Sequence, residues 1–89
     1  MNSKTTRRFR QMLAMLPQEI RGQAREAYRL FRDNPHHPGL QFKKVHATEP
    51  IYSVRVTLDY RAVGVVDGEA IVWFWIGPHR DYERLLYRL

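Results

Sequence analysis

Eighty-nine residues suffice for one compact domain with a single core and are too few for two. A hydrophobic fraction of 44% argues against general disorder, and the absence of cysteine excludes disulfides, thiolate metal sites and a thiol nucleophile. The formal charge of +6 comes from fifteen Lys and Arg, twelve of them Arg, against nine acids. It is lopsided: residues 1–35 carry eight basic and three acidic side chains, the remainder seven and six. Such a flank fits a polyanion such as RNA or an acidic protein partner, and its plainer reading is a solvated helical surface. The basic start is followed only by MLAML, too short for a secretory segment, and the longest apolar run, Ala70 to Ile76, is too short to cross a bilayer. A cytosolic protein without membrane contact is expected.

Two helices come first. Behind the cap candidates Thr5 and Thr6, the residues Phe9, Met12, Leu13 and Leu16 recur at i, i+3, i+4, i+7. Pro17 stops that helix and suits the first turn of the next. There Ile20, Ala24, Ala27, Tyr28 and Phe31 form an apolar stripe, with Arg21, Arg25, Arg29 and Arg32 beside or opposite it. The run DNPHHPG, Asp33 to Gly39, ends the helix in a loop.

From Leu40 the period falls to two. LQFKKV reads as a short strand, and IYSVRVTL alternates Val54, Val56 and Leu58 with Ser53, Arg55 and Thr57. Asp67-Gly68 then predicts a two-residue hairpin turn that pairs Val65 with Ala70, Gly64 with Ile71, Ala62 with Trp73 and Arg61 with Phe74. Small residues opposite large rings imply that both sheet faces are at least partly covered. A short helix from about Arg80 to Tyr87 closes the chain, with Tyr82, Leu85 and Leu86 spaced to pack back. The expected architecture is α+β: an N-terminal helical hairpin packed on a twisted antiparallel sheet of about four strands, helices on one side, with a short C-terminal helix.

The chemistry-bearing residues gather late in the chain. Arg55 and Arg61 fall on adjacent strands among small and apolar residues, and a buried arginine needs a partner such as Asp59, Glu83 or the terminal carboxylate. An arginine at an open sheet end, stem packed and head in water, is the plainer reading; two of them suit a phosphate. His79 follows Gly77-Pro78 at the start of the last helix, either as a loop histidine helping to begin it or as an acid–base group. Tyr82 lies one turn on, as a packing aromatic or a working phenol. Lys43 and Lys44 end a short strand and, as neighbours, point to opposite faces, so at most one joins a site. His36, His37 and His46 lack metal-ligand spacing, and no metal or other cofactor is expected.

The pieces SVRVTLDYR and IGPHRDYERLL, in this order behind a helical hairpin and GLQFKKV, are similar to sequences of the RelE/ParE superfamily of bacterial toxins. The first resembles the family's R-v-x-x-x-Y-R strand pair, the second the I-G-x-H-x-x-Y ending of its ribosome-dependent mRNA interferases. The likeness runs over nearly the whole of residues 1–89, as one toxin domain. It implies a toxin of a type II toxin–antitoxin pair that cleaves messenger RNA on the ribosome and is held inactive by a cognate antitoxin. By that resemblance Arg61 meets the scissile phosphate, Arg55 matches a second strand arginine of several branches, and His79 and Tyr82 take acid–base or base-stacking positions. In the chemistry Arg55 and Arg61 would together stabilise the phosphoryl charge. Lys43 or Lys44, with Arg80, would hold RNA. Where some interferases have lysines before Arg61, this chain has Tyr52 and Val54, and its last residues supply no second histidine. A ParE-like relative that binds DNA gyrase without catalysis, and a catalytically inactive relative, stay open; a helix-turn-helix reader ranks last, because Pro17 leaves little turn.

Overall fold

The computed structural model describes all residues from Met1 to Leu89. In chain order the elements are β1 (Asn2–Thr5), α1 (Arg7–Ala14), α2 (Gln18–Asp33), a 3₁₀ turn (Pro38–Leu40), β2 (Lys43–Lys44), β3 (Ile51–Thr57), β4 (Tyr60–Asp67), β5 (Ala70–Pro78) and α3 (His79–Arg88). The strands form one sheet in the order β1-β5-β4-β3-β2. The helical hairpin, the three long strands and the terminal helix all match the sequence reading.

The expected LQFKKV strand shortens to Lys43–Lys44, with Leu40 in the 3₁₀ turn and Gln41 left-handed behind it. Three larger features also depart from the reading. The sheet has five strands and is mixed, because Asn2–Thr5 pairs parallel to Ala70–Trp73 along the edge of β5. That segment, NSKT, carries no apolar alternation, so only the open edge beside it makes it a strand. The helices also lie on both sides of the sheet. Phe9, Ala27 and Phe31 pack with Val54, Ala62, Ile71, Trp73 and Ile76 on one face, while Tyr82 of α3 packs with Ile51 and Val63 on the other.

The hairpin register is the third departure. Asp67 pairs with Ala70, so the turn is Gly68-Glu69, and Gly68 has φ 61. A glycine first with positive φ fits a type II′ turn, which needs no left-handed second residue. The ladder then slips at Phe74, since Gly64 pairs with Trp73 but Val63 with Trp75. This bulge breaks strict alternation. Phe74 and Trp75 both pack toward α3, and Ile76 returns to the α1–α2 core. Gly64 is obligatory here: a Cβ would lie 2.8 Å from the Trp73 ring and 3.0 Å from the Val72 carbonyl.

Local chemistry sets the helix ends. Thr6 Oγ1 accepts from the Phe9 amide at 3.0 Å, an N-cap on α1. Between the helices, Arg21 Nη1 donates to the Leu16 carbonyl at 2.6 Å and fixes the hairpin. Phe31 anchors the α1–α2 side, edge-on to both Phe42 and Trp73 at centroid separations of 5.0 and 5.3 Å.

Candidate functional site

The α3 side of the sheet is organised in rows. Lys43, Ser53, Val63 and Trp75 are successive partners across β2, β3, β4 and β5; the next row toward the β3–β4 turn runs Arg55, Arg61, Gly77. Because alternate residues of a strand share a face, Arg55 and Arg61 stand on the same face as Ser53 and Val63, beneath α3. The parity of the strands also separates the lysines. Lys43 lies in the Ser53 row on this face, whereas Lys44 pairs with Tyr52, which packs into the opposite core.

Arg61 is half-buried and tied down. Its Nη1 lies 2.8 Å from the Thr57 carbonyl and 3.1 Å from those of Leu58 and Tyr60, so one nitrogen caps the whole β3–β4 turn. Asp59, Glu83 and the terminal carboxylate are the partners the sequence offers a buried arginine; backbone carbonyls supply the contacts instead. Desolvation holds the Arg61 pKa below the ordinary arginine value. The Arg55 charge adds to that lowering, and Tyr82 and Asp59 oppose it. Arg55 itself makes no side-chain hydrogen bond and no salt bridge, and stays partly open to solvent.

His79 opens α3, and its backbone amide donates to the Asp59 carbonyl at 2.7 Å. The turn that receives Arg61 through its side chain thus receives His79 through its main chain. The imidazole is about half exposed, with Nδ1 3.3 Å from Glu83 Oε1 one turn along the helix. Its ring centroid lies 5.6 Å from that of Tyr82.

Tyr82 is only 6% exposed, and its hydroxyl donates to Ser53 Oγ at 3.0 Å. A ring so covered offers no face to a splayed base, and its proton is already engaged. Its surroundings are those of a packing aromatic. Arg80 is exposed on the first turn of α3. In the sequence Ser53 is one more alternating strand residue, and a lone serine in such a run carries no signal until its partner on α3 is known.

The basic helices are less free than their composition suggests. Arg10 donates to Thr5, Arg21 to Leu16, Arg29 pairs with Glu26 and Arg32 with Asp33. Arg7, Arg8 and Arg25 are the arginines of α1 and α2 left exposed without such a partner. His37 and His46 are spent on turns, accepting through Nδ1 from the amides of Gly39 and of Thr48 and Glu49.

In composition the face suits an anion. Two guanidinium groups and one lysine share it, with an imidazole at its end. Gly77 extends the arginine row without a side chain of its own. Such a group can hold a phosphodiester and move a proton beside it.

A family model for a ParE-like toxin domain matches residues 18–84. No protein with a curated description matches the chain. Among solved structures, the RelB-RelE antitoxin-toxin complex of Methanococcus jannaschii contains a similar chain, with TM-score 0.74 and 17% identity over 92% of this chain and 96% of that one. YafQ of Escherichia coli strain BL21(DE3) is similar at TM-score 0.73 and 8% identity, covering 91% of this chain and 96% of its own. The YoeB/ParE toxin of Agrobacterium tumefaciens follows at TM-score 0.71 and 14% identity, covering 89% and 99%. At these identities the likeness is one of fold.

Proposed function

The chain belongs to the ParE-like toxin domain family, within the RelE/ParE superfamily, and we propose that it is the toxin of a type II toxin–antitoxin pair that cleaves messenger RNA on the ribosome without a metal. One observation carries this reading. Arg55 and Arg61 are direct cross-strand partners with no carboxylate bound to either, at the sheet end where His79 begins α3. Like charges directly opposite destabilise a sheet, so a pair retained there calls for an anion.

Metal-free RNA cleavage uses the ribose 2′-hydroxyl as nucleophile on the adjacent phosphorus. A base removes the hydroxyl proton, an acid protonates the departing 5′-oxygen, and cations hold the charge on the phosphoryl oxygens. Arg55, with its guanidinium free, and Arg61, through the nitrogens not given to the turn, are the cations. His79 is the proton-transfer group, its imidazole about half exposed where α3 begins. Tyr82, whose position matches an acid–base or base-stacking one by the resemblance, serves this site by holding α3. Lys43 and Arg80 extend the positive track for the RNA backbone, while Lys44 faces away. Arg7, Arg8 and Arg25 are left to meet ribosomal RNA. The partner that restrains the toxin is a cognate antitoxin, and no small-molecule cofactor takes part.

Mapping messenger 5′ ends after a pulse of expression tests the reading. New ends inside coding sequence are expected for the wild type, and none for His79→Ala or Arg61→Ala. Unaltered messengers with disturbed DNA supercoiling would instead favour the gyrase-binding alternative, and unaltered messengers with normal supercoiling an inactive relative.

A further inference from the structure

We infer that Ser53 is a positioning residue for His79, acting through Tyr82; this rests on the nuclease reading above and adds to it a residue that touches neither substrate nor imidazole. Ser53 is 1% exposed and is the buried polar side chain of the protein. It lies mid-strand in β3 between Lys43 and Val63, where a valine or alanine would satisfy the apolar pattern. Its hydroxyl receives the Tyr82 phenol at 3.0 Å, a buried bond joining residues 29 apart in sequence.

Two directional ties hold the first turn of α3. The His79 amide is bound to the Asp59 carbonyl at the β3–β4 turn, and the Tyr82 hydroxyl to Ser53 in the body of the sheet. The other contacts of Tyr82, with Ile51, Val63 and the Trp75 ring, are apolar and set the rotation of the helix about its axis only loosely. The bond to Ser53 does fix it, because a hydrogen bond weakens steeply with distance and angle. His79 is one turn from Tyr82, its ring 5.6 Å from the phenol ring. A small roll of α3 would therefore swing the imidazole relative to the Arg55–Arg61 row. Displacements of about 1 Å at a reacting group are enough to cost roughly a hundredfold in rate.

The test uses Ser53→Ala, Tyr82→Phe and the double variant, each measured for thermal stability, for kcat and KM of messenger cleavage on ribosomes, and for the NMR signals of the His79 ring. Ser53→Ala strands a buried phenol and lowers stability, whereas the double variant removes both partners and recovers most of it. Positioning predicts that activity does not recover with it. In the double variant kcat stays down by about tenfold with KM near that of the wild type, and the His79 ring signals stay displaced. If kcat returns to the wild-type value together with stability, the bond serves stability alone and the inference is overturned. Should the wild type cleave no RNA, the nuclease reading fails on its own. The ring signals then decide the inference: displaced signals in the folded double variant support it, and signals identical to the wild type overturn it.

Discussion

Arg55 and Arg61 face each other directly across the β3–β4 ladder, yet the two guanidinium groups are used differently. Arg61 spends one nitrogen on three carbonyls of the turn, and Arg55 is bound to nothing. Similar in sequence position and charge, they should respond differently to removal.

For Arg55→Gln, loss of a like-charge neighbour leaves stability unchanged or raises it by about 0.2–1 kcal/mol. Messenger cleavage falls by tenfold or more as one phosphate contact disappears. Urea unfolding and single-turnover cleavage, run on the same preparation, check both halves. A clear drop in stability would mean that Arg55 is held by contacts of its own.

Arg61→Ala is expected to lose activity and about 1–2 kcal/mol of stability together, since the turn carbonyls lose their donor. Lysine at 61 keeps the charge but loses the fork, and restores neither fully. The pH dependence has a definite sign. Burial pulls the folded-state pKa of Arg61 down, so the charged form costs stability wherever it is protonated, and that cost is relieved only in strongly alkaline solution. Stability between pH 5 and 9, near neutrality where arginine stays charged, should therefore be no different in slope for wild type and Arg61→Ala.

The two adjacent lysines separate by strand parity. Lys43→Ala should weaken binding to single-stranded RNA and reduce the slope of log affinity against log salt by about 0.7, the loss of one phosphate contact. Lys44→Ala, on the opposite face, should leave that slope unchanged. Equal effects from both would place the RNA along the sheet edge rather than across the α3 face.

Gly64→Ala forces a methyl against the Trp73 ring, Ile71 and the Val72 carbonyl at 2.8, 2.9 and 3.0 Å. A destabilisation of about 1–3 kcal/mol is expected from this overpacking, read as a lower urea midpoint. Gly68→Ala meets open space but sits at φ 61, so its cost is one of backbone strain, about 1 kcal/mol.

The site was legible in part. Arg55, Arg61 and His79 stand out in the sequence because charged or titratable groups interrupt an otherwise apolar strand pattern. The same pattern hid Ser53, and it suggested a working role for Tyr82 because spacing reveals neither burial nor the atom a hydroxyl is bound to. Strand parity said that Lys43 and Lys44 must part; only the pairing with Ser53 and Tyr52 told which one joins the face.

By itself the sequence determined the helical hairpin, the three long strands and the closing helix, since period, proline and turn residues act within a few positions of one another. The tertiary structure decided what depends on distant partners. The polar segment Asn2–Thr5 became a strand because β5 offered a free edge. A bulge at Phe74 put Phe74 and Trp75 on the same face and returned Ile76 to the face of Trp73, because packing two cores against one strand outweighs strict alternation. Helix α3 took the sheet face opposite α1 and α2, which brings His79 to the end of the Arg55–Arg61 row. Local pattern carries no information about that choice of side, because the energy that fixes it is the burial of Tyr82, Leu85 and Leu86 against a surface assembled from three other strands.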